Sequence, residues 1–542
     1  MSYSDKDKAH EVCRLLDQER GKRGVWDSHW DEIAQRLYPN ASDYFVSRFR
    51  TAGDKRQQEV YDSTGAIALN RFAAILDSML TPRNQTWHRL VPNDINLSKD
   101  RQARLWFEET NSILFKHRYA PTANFSSQNQ AGFKSLGAFG NGILYTDALY
   151  SRTVKGLRYK NCHLGEIYFM ENHQGLVDKV LRHFAMTARQ ALQKWGPERL
   201  PATIVTAFDV DPEREFYFVH YVSPNESIDP TRLDYKGMDF SSCYVSVEGK
   251  QLIEEGGYDV MPYSVSRYEQ AENEVYGRSP AMDVLPAVKT LNEQKKTLLK
   301  QGHRAVDPVL LAHDDGIIDS FSLKPGSINA GGVSKEGRAL VQSLPVGNVN
   351  IGRDMMNDEK DVIKDAFLVT LFQILADNPQ MTATEVMERT REKGILLAPT
   401  LGRQQSERLG PQIERELDVL SKLGLLPPLP PILQEAGVDF KVEYDSPLSR
   451  AQRAEEASGL MRTVESALGV VNATGNPEAL DHFNWDAIIP ELADINAVPV
   501  RWRKSMEDIQ AIREGRANAA QQQQIIDAAP SMASIAKTAK GM

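Results

Sequence analysis

Apolar positions recur at helical spacing along most of the first 140 residues, switch to short strand-like runs, and return to helical spacing after residue 276. KAHEVCRLLDQERGKR (8–23) and WDSHWDEIAQRLYP (26–39) predict two helices. In VYDSTGAIALNRFAAILDSMLTP (60–82), Leu69, Phe72, Ala73, Leu76, Met79 and Leu80 share one face. Asp62, Ser63 or Thr64 supplies the cap of that helix, and Thr81-Pro82 ends it. SKDRQARLWFEETNSILFKHRY (98–119) predicts a further helix capped by Ser98, with Ala103, Trp106, Phe107, Thr110, Ile113, Leu114 and His117 on its packing face.

From about 141 the runs are short and rich in β-branched and aromatic residues: GILYTDALY, GEIYFMEN, GLVDKVLRHFAM, EFYFVHYVSP, CYVSVEGKQLIEEG and YSVSRYE. TARQALQKWGP interrupts them as a helix, with Thr187 as cap and Gly196 as stop. A long helix follows Pro280 to about 306, then some forty residues of strand and turn character to 347, then a second long helix from Arg353 to about Asp377. Thr382-x-x-Glu385 forms a capping box for another helix that runs to Leu423, with kinks at Pro399 and Pro411. LLPPLPPIL (425–433) reads as a stiff joint, and the tail from about 447 is helical. The class is α+β, mainly helical.

A chain of 542 residues exceeds one core, so two to four structural units are expected. The N-terminus is charged from Asp5 on and does not read as a signal peptide. The longest uncharged apolar run, AFLVTLFQILA (366–376), is too short to span a bilayer, so no membrane partner is expected. Cys13, Cys162 and Cys243 are few, distant and odd in number, which suits a reducing compartment and offers no zinc spacing. The net charge of −9 argues against sequence-specific DNA binding, which normally uses a basic stripe, and leaves passive contact with DNA open.

Motifs of catalysis are missing. Neither Gly-Lys pair stands in a phosphate-binding loop, and there is no H-E-x-x-H or G-x-S-x-G. GAFGNG (137–142) follows a helix and precedes a strand, the reverse of a dinucleotide site, and reads as a turn. His163, His173 and His183 do not share a face reliably. The DSTG around Asp62 resembles an aspartic-protease loop, but its glycine stands one residue late and no second copy supplies the partner acid. Asp62 is therefore read as part of a helix cap. No catalytic residue, metal ligand or cofactor site is expected.

The more informative pattern is a pair of charged helices. Lys289, Glu293, Lys296 and Lys300 make one stripe, with His303 and Arg304 at its edges and Val284, Val288, Leu291, Leu298 and Leu299 opposite. On the second helix Asp354, Asp358, Asp361 and Asp365 repeat the spacing, with Met355, Val362, Ile363 and Ala366 on the other side. The plain reading is two solvated faces with some cross-helix ion pairs. The alternative is a stripe that faces the lumen of a ring.

YDSTGAIALNRFAAILDSMLTPRNQTWHRL, YGRSPAMDVLPAVKTLNEQ and the Asp-rich helix leading into LFQILADNPQMTATEV together resemble the portal, or head-to-tail connector, proteins of short-tailed bacteriophages, over roughly residues 10–450. The resemblance implies a non-enzymatic ring, twelve subunits at one vertex of the virion head, made in the bacterial cytoplasm. Such a ring nucleates head assembly, conducts double-stranded DNA in and out, and attaches the tail. Implied partners are other copies of the chain, the terminase large subunit, a tail adaptor, and the major capsid and scaffolding proteins. By chain order 1–275 would be the wing, 276–306 the first stem helix, 307–347 the clip and 350–372 the second stem helix. Residues 373–386 would be the tunnel loop, 387–446 the long wing helix and joint, and 447–542 a crown that could extend as a helical barrel.

Candidates for the DNA channel are then Lys289, Lys296, Lys300, Arg304, Asp354, Asp358, Asp361 and Asp365. Those for the tunnel loop are Asn378, Gln380, Met381 and Thr382, and those for partner binding at the clip are Lys324, Lys335 and Arg338. The competing readings are a metal-dependent hydrolase or nuclease, which predicts Mg²⁺- or Mn²⁺-dependent cleavage, and another virion adaptor.

Overall fold

The computed structural model describes residues 3–41, 45, 53, 55–56, 60–150, 154–232, 234–312, 322–330, 332–345, 349–370, 397–436, 440–444, 447–475, 481, 483–495, 498–505 and 507–519. Two compact units divide the chain: Met1–Arg83 with Arg118–Leu423, and Asn84–His117 with Gly424–Met542.

In the first unit α1 (Tyr3–Leu37) runs unbroken where the sequence predicts two helices. Glycines at 21 and 24 cost a helix about 1 kcal/mol each relative to alanine. Tertiary contact outweighs that cost. The buried Arg23 donates to Leu164 O and Ile167 O, pairs with Asp27 at 2.8 Å, and lies 3.8 Å from the Tyr168 ring.

Five strands, β4 (Ile167–Glu171), β5 (Val177–Thr187), β6 (Glu215–Pro224), β7 (Phe240–Ser246) and β8 (Gln251–Tyr258), form an antiparallel meander in that order. Helices α6 (Ala188–Trp195) and α7 (Ala202–Val210) cover one face, where Phe218 packs with Trp195 and Ile204. The start of α1 covers the other, where Val219 packs with Val12 and Leu16. Successive side chains point to opposite faces, so a sheet covered on both sides reads as the nearly unbroken apolar run of β6. Thr187 caps α6 as expected, in a reciprocal box with Gln190.

A second antiparallel sheet runs β3 (Lys155–Asn161), β2 (Asn141–Tyr150), β9 (Tyr263–Arg267). Where the two sheets meet, His220 sits 2.6 Å from the Tyr263 hydroxyl and 2.9 Å from Ser242 Oγ, stacked 4.1 Å from the Tyr244 ring. Burial, with Lys194 and Arg182 nearby, holds this imidazole well below its ordinary value. The unfolded chain therefore takes up a proton near pH 6.5 that the fold refuses, and stability is lost as pH falls through that value. Melting temperature should drop below pH 6.5, and His220→Gln should flatten that pH dependence by up to one proton's worth of slope.

Beyond β9 lie α8 (Pro280–Val306), a ribbon of β10 (Leu310–Ala312) with β11 (Val341–Ser343), and α9 (Val349–Ala366). The second long helix thus starts four residues before its expected start and ends earlier. Leu368 adopts φ 60°, a left-handed turn that lets both Phe367 and Val369 point inward. Thr382, its capping box and the expected helix up to residue 396 lie outside the described residues. Residues 397–404 are helical, Gln405–Leu409 form a π-helical turn, and Gly410–Lys422 resume the α-helix. The widened turn directly precedes Pro411, which has no N–H for the carbonyl four residues back. No break occurs at Pro399 within residues 397–404.

In the second unit β1 (His88–Pro92) pairs antiparallel with β12 (Phe440–Tyr444). A five-residue helix α3 (Ile95–Lys99) precedes α4 (Arg101–Arg118), so the cap is not Ser98; Asp100 Oδ1 accepts from Ala103 N at 2.8 Å. The expected packing face holds, with Ala103, Phe107, Thr110 and Leu114 buried. Helices Pro447–Thr474, Trp485–Ile495 and 507–519 make up the tail. No helix among the described residues is long and apolar enough to cross a membrane.

Candidate functional site

Helices α8 and α9 carry most of the candidate residues, and three segments singled out in the sequence converge to hold α8. The first is the DSTG stretch at the start of α2 (Thr64–Leu80). Asp62 Oδ1 accepts from Thr64 N at 2.8 Å, while Asn292 Oδ1 of α8 accepts from Tyr61 N at 2.7 Å and Asp62 N at 3.3 Å. Asp62 is a turn residue. A Cβ on Gly65 would lie 2.3 Å from Leu37 Cδ2 and 3.6 Å from Val288 Cγ2, so the glycine lets α2 approach both α1 and α8.

The second and third segments lock together. Helix α5 (Phe125–Phe139) ends at Gly140, φ 77°, before β2. Asn141 Oδ1 accepts from Gly277 N at 2.9 Å, and Ser279 Oγ donates to Ala138 O at 2.9 Å. Ser279 also caps α8 by accepting from Met282 N, and Tyr276 packs among Trp26, Trp30 and Phe169. GAFGNG is thus the seat of YGRSP, and the glycines allow backbone to touch backbone.

The charged rows behave differently from one another. Lys289 Nζ is 2.6 Å from Glu32 Oε1 of α1. Lys296 Nζ lies 3.9 Å from Glu293 and 5.5 Å from the Tyr61 ring centroid. Lys300 and Arg304 are exposed and form no ion pair among the described residues. On α9 all four aspartates are exposed; Asp361 pairs with Lys364 at 2.8 Å, and Asp354, Asp358 and Asp365 have no ion pair among the described residues. Helix α9 also carries Arg353, Lys360 and Lys364 at i, i+7, i+11, a basic row beyond the aspartates that helical spacing makes legible in the sequence.

The apolar assignment of α9 needs correction. Its buried residues are Met356, Ile363 and Phe367, whereas Met355 and Val362 are each 53% exposed. Helical periodicity finds apolar stripes but cannot tell which of two adjoining stripes meets the core. Likewise Leu299 on α8 is exposed, because the inward-facing stripe of Val284, Val288 and Leu291 continues beyond the part of the helix that the other described residues cover. The two helices pack side by side: a Cβ on Gly352 would lie 3.3 Å from Leu298 Cδ1. Between them runs an open groove of about 580 Å³, bordered by Thr290, Gln294, Thr297, Leu298, Gln301 and Met355. Lys289 and Glu293 also border it, but each is engaged in an ion pair elsewhere, Lys289 with Glu32 and Glu293 with Lys296, so the groove offers mainly packing and hydrogen bonding.

At the β10–β11 ribbon Lys324, Lys335 and Arg338 all project from turns as exposed side chains. Asn378, Gln380, Met381 and Thr382 lie outside the described residues. His163 accepts from Gly165 N at 3.0 Å and His183 stacks on Tyr217, both ordinary structural uses. Among the described residues no three His, Cys, Asp or Glu side chains are grouped to hold a metal ion.

Comparison with known proteins bears on the whole chain. The family model described as bacteriophage head to tail connecting protein matches residues 9–502. The chain is 28% identical over 520 residues to the probable portal protein of Bordetella phage BPP-1, covering 94% of this chain and 92% of that protein. It is 27% identical over 538 residues to the portal protein of Salmonella phage epsilon15, covering 97% of this chain and 94% of that protein.

Proposed function

We propose a role from one premise: this chain belongs to the bacteriophage head-to-tail connecting protein family. It is a phage portal protein, a structural component of the virion head that acts in an oligomeric ring associated with capsid and tail. In the fuller reading, twelve copies close the ring at one vertex and nucleate head assembly. The terminase large subunit docks on the ring for packaging, a tail adaptor replaces it, and major capsid and scaffolding proteins surround it. Double-stranded DNA passes through the centre.

The observation that carries the reading is the family match over residues 9–502, and the order α8, β10–β11, α9 supports reading these elements as stem, clip and stem. Residues 1–275 serve as wing, 307–347 as clip, 373–386 as tunnel loop, 387–446 as long wing helix and joint, and 447–542 as crown. A conduit must let DNA slide, and a chain of net charge −9 has little hold on phosphate as a whole. Lys300 and Arg304, exposed and without ion pairs among the described residues, are the basic groups best placed to centre the duplex.

Electron microscopy of the purified protein should show rings with a central hole. A chain that stays monomeric at every salt concentration would overturn the reading. Within assembled heads, Lys300→Glu with Arg304→Glu should leave ring yield unchanged and lower the amount of DNA retained severalfold. Unchanged DNA content would remove these two residues from the channel.

A further inference from the structure

Two apolar stripes on the α8–α9 pair have no cover among the described residues. On α9, Ile351, Met355 and Val362 fall on one side at i, i+4, i+11 and are 60%, 53% and 53% exposed. On α8, Leu299 and Val306 extend the buried stripe and are 45% and 89% exposed. Each stripe has charge beside it, and the signs are opposite. The aspartates at 354, 358, 361 and 365 flank the stripe on α9. Lys295, Lys296 and His303 flank that on α8. The two helices pack on each other around Leu298 and Gly352, and Met355 stands at the edge of the groove between them, while Leu299 and Val306 lie on the side of α8 turned away from that groove.

We propose that the α8 stripe of one copy packs on the α9 stripe of the next copy, with the basic flank of the first against the acidic row of the second. The proposal rests on the ring reading and specifies which faces close the ring. Because the two surfaces differ, every copy offers one of each, and such a head-to-tail contact propagates until a rotation closes it. Exposed apolar stripes rimmed by complementary charge are what such a contact uses. The acidic row of α9 is then spent at the subunit boundary. Lys300 and Arg304, displaced around α8 from Leu299 and Val306, stay free for DNA. Rotation about a ring axis keeps each residue at its own height. Leu298 is level with Gly352 inside a subunit, so Leu299 should meet Ile351 or Met355 of the neighbour.

The test uses the full chain, whose native Cys13, Cys162 and Cys243 are all buried. Leu299→Cys combined with Met355→Cys, or with Ile351→Cys, is treated with a short bis-maleimide and run on a denaturing gel. A ladder reaching the full ring is expected from at least one double variant, and no ladder from either single variant. Mixed single variants should yield only dimers. Leu299→Asp, at an exposed position, should keep the melting temperature of the unmodified chain and lose rings at least tenfold in yield. Rings seen by microscopy with no ladder from either double variant, or rings undiminished in Leu299→Asp, would overturn this contact and leave the portal reading standing. Absence of rings from the unmodified protein would sink that reading and the contact with it.

Discussion

Glu416→Gln should destabilise the fold by about 3–5 kcal/mol, the usual cost of leaving one partner of a buried ion pair uncompensated. Glu416 and Arg118 are both fully buried. Arg118 Nε approaches Oε1 at 3.2 Å and Oε2 at 3.0 Å, and Nη2 donates to Oε2 as well. Tyr159 OH donates to Oε1 at 2.7 Å, and Gln412 Nε2 at 2.6 Å. One carboxylate thus ties Arg118, strand β3 and the helix Gly410–Lys422, all within the first unit. Burial disfavours the Arg118 cation, yet the Glu416 charge more than offsets it and raises the guanidinium above its ordinary value. Burial beside the carboxylate likewise pushes the Tyr159 phenol well up. The amide keeps the shape and removes the charge, so the loss reports electrostatics rather than a cavity. Urea unfolding should show it. Arg118→Met with Glu416→Leu should cost clearly less than the sum of the single changes, because no charge is then left alone. A loss under about 1 kcal/mol for Glu416→Gln would mean that the pair contributes little.

Gly140→Ala is the second large effect, expected at about 2–5 kcal/mol from a left-handed backbone plus overpacking. Gly140 has φ 77°, and a Cβ there would stand 2.2 Å from Gly277 O, a backbone atom that cannot rotate aside. The YGRSP turn would have to move, and with it the start of α8. Gly175→Ala is the internal control: φ is 78°, but nothing lies within 4 Å of the added Cβ. It should cost only about 1 kcal/mol, the conformational part alone. Equal losses from the two substitutions would show that the contact with Gly277 does not matter. Thermal unfolding of both variants measures the difference.

These residues also show where sequence reasoning stops. The turn at Gly140, the Thr187 cap, the meander strands and the start of α8 at Pro280 depend on neighbours within a few positions, and the chain displays such neighbours directly. The sequence leaves residues 24–25 between two helical stretches, yet α1 runs through them, held where Arg23 reaches carbonyls some 140 residues away. The pairing of β1 with β12 joins residues 88–92 to 440–444, a distance along the chain over which no periodic pattern speaks. Arg118 and Glu416 each look like ordinary surface charges on helices; only packing takes both out of water.

The candidate site divides in the same way. By itself the sequence determined that α8 and α9 would be amphipathic helices bearing charged rows around a β insertion, since helical spacing depends on backbone geometry alone. It also determined that Asp62 lacks the company a catalytic acid needs. Tertiary structure decided that Lys289 meets Glu32, that Asn292 holds the DSTG turn, and that Met355 and Val362 face outward while Met356 and Ile363 face in. The reason is that periodicity says which residues share a face, whereas burial depends on what the rest of the chain brings to that face.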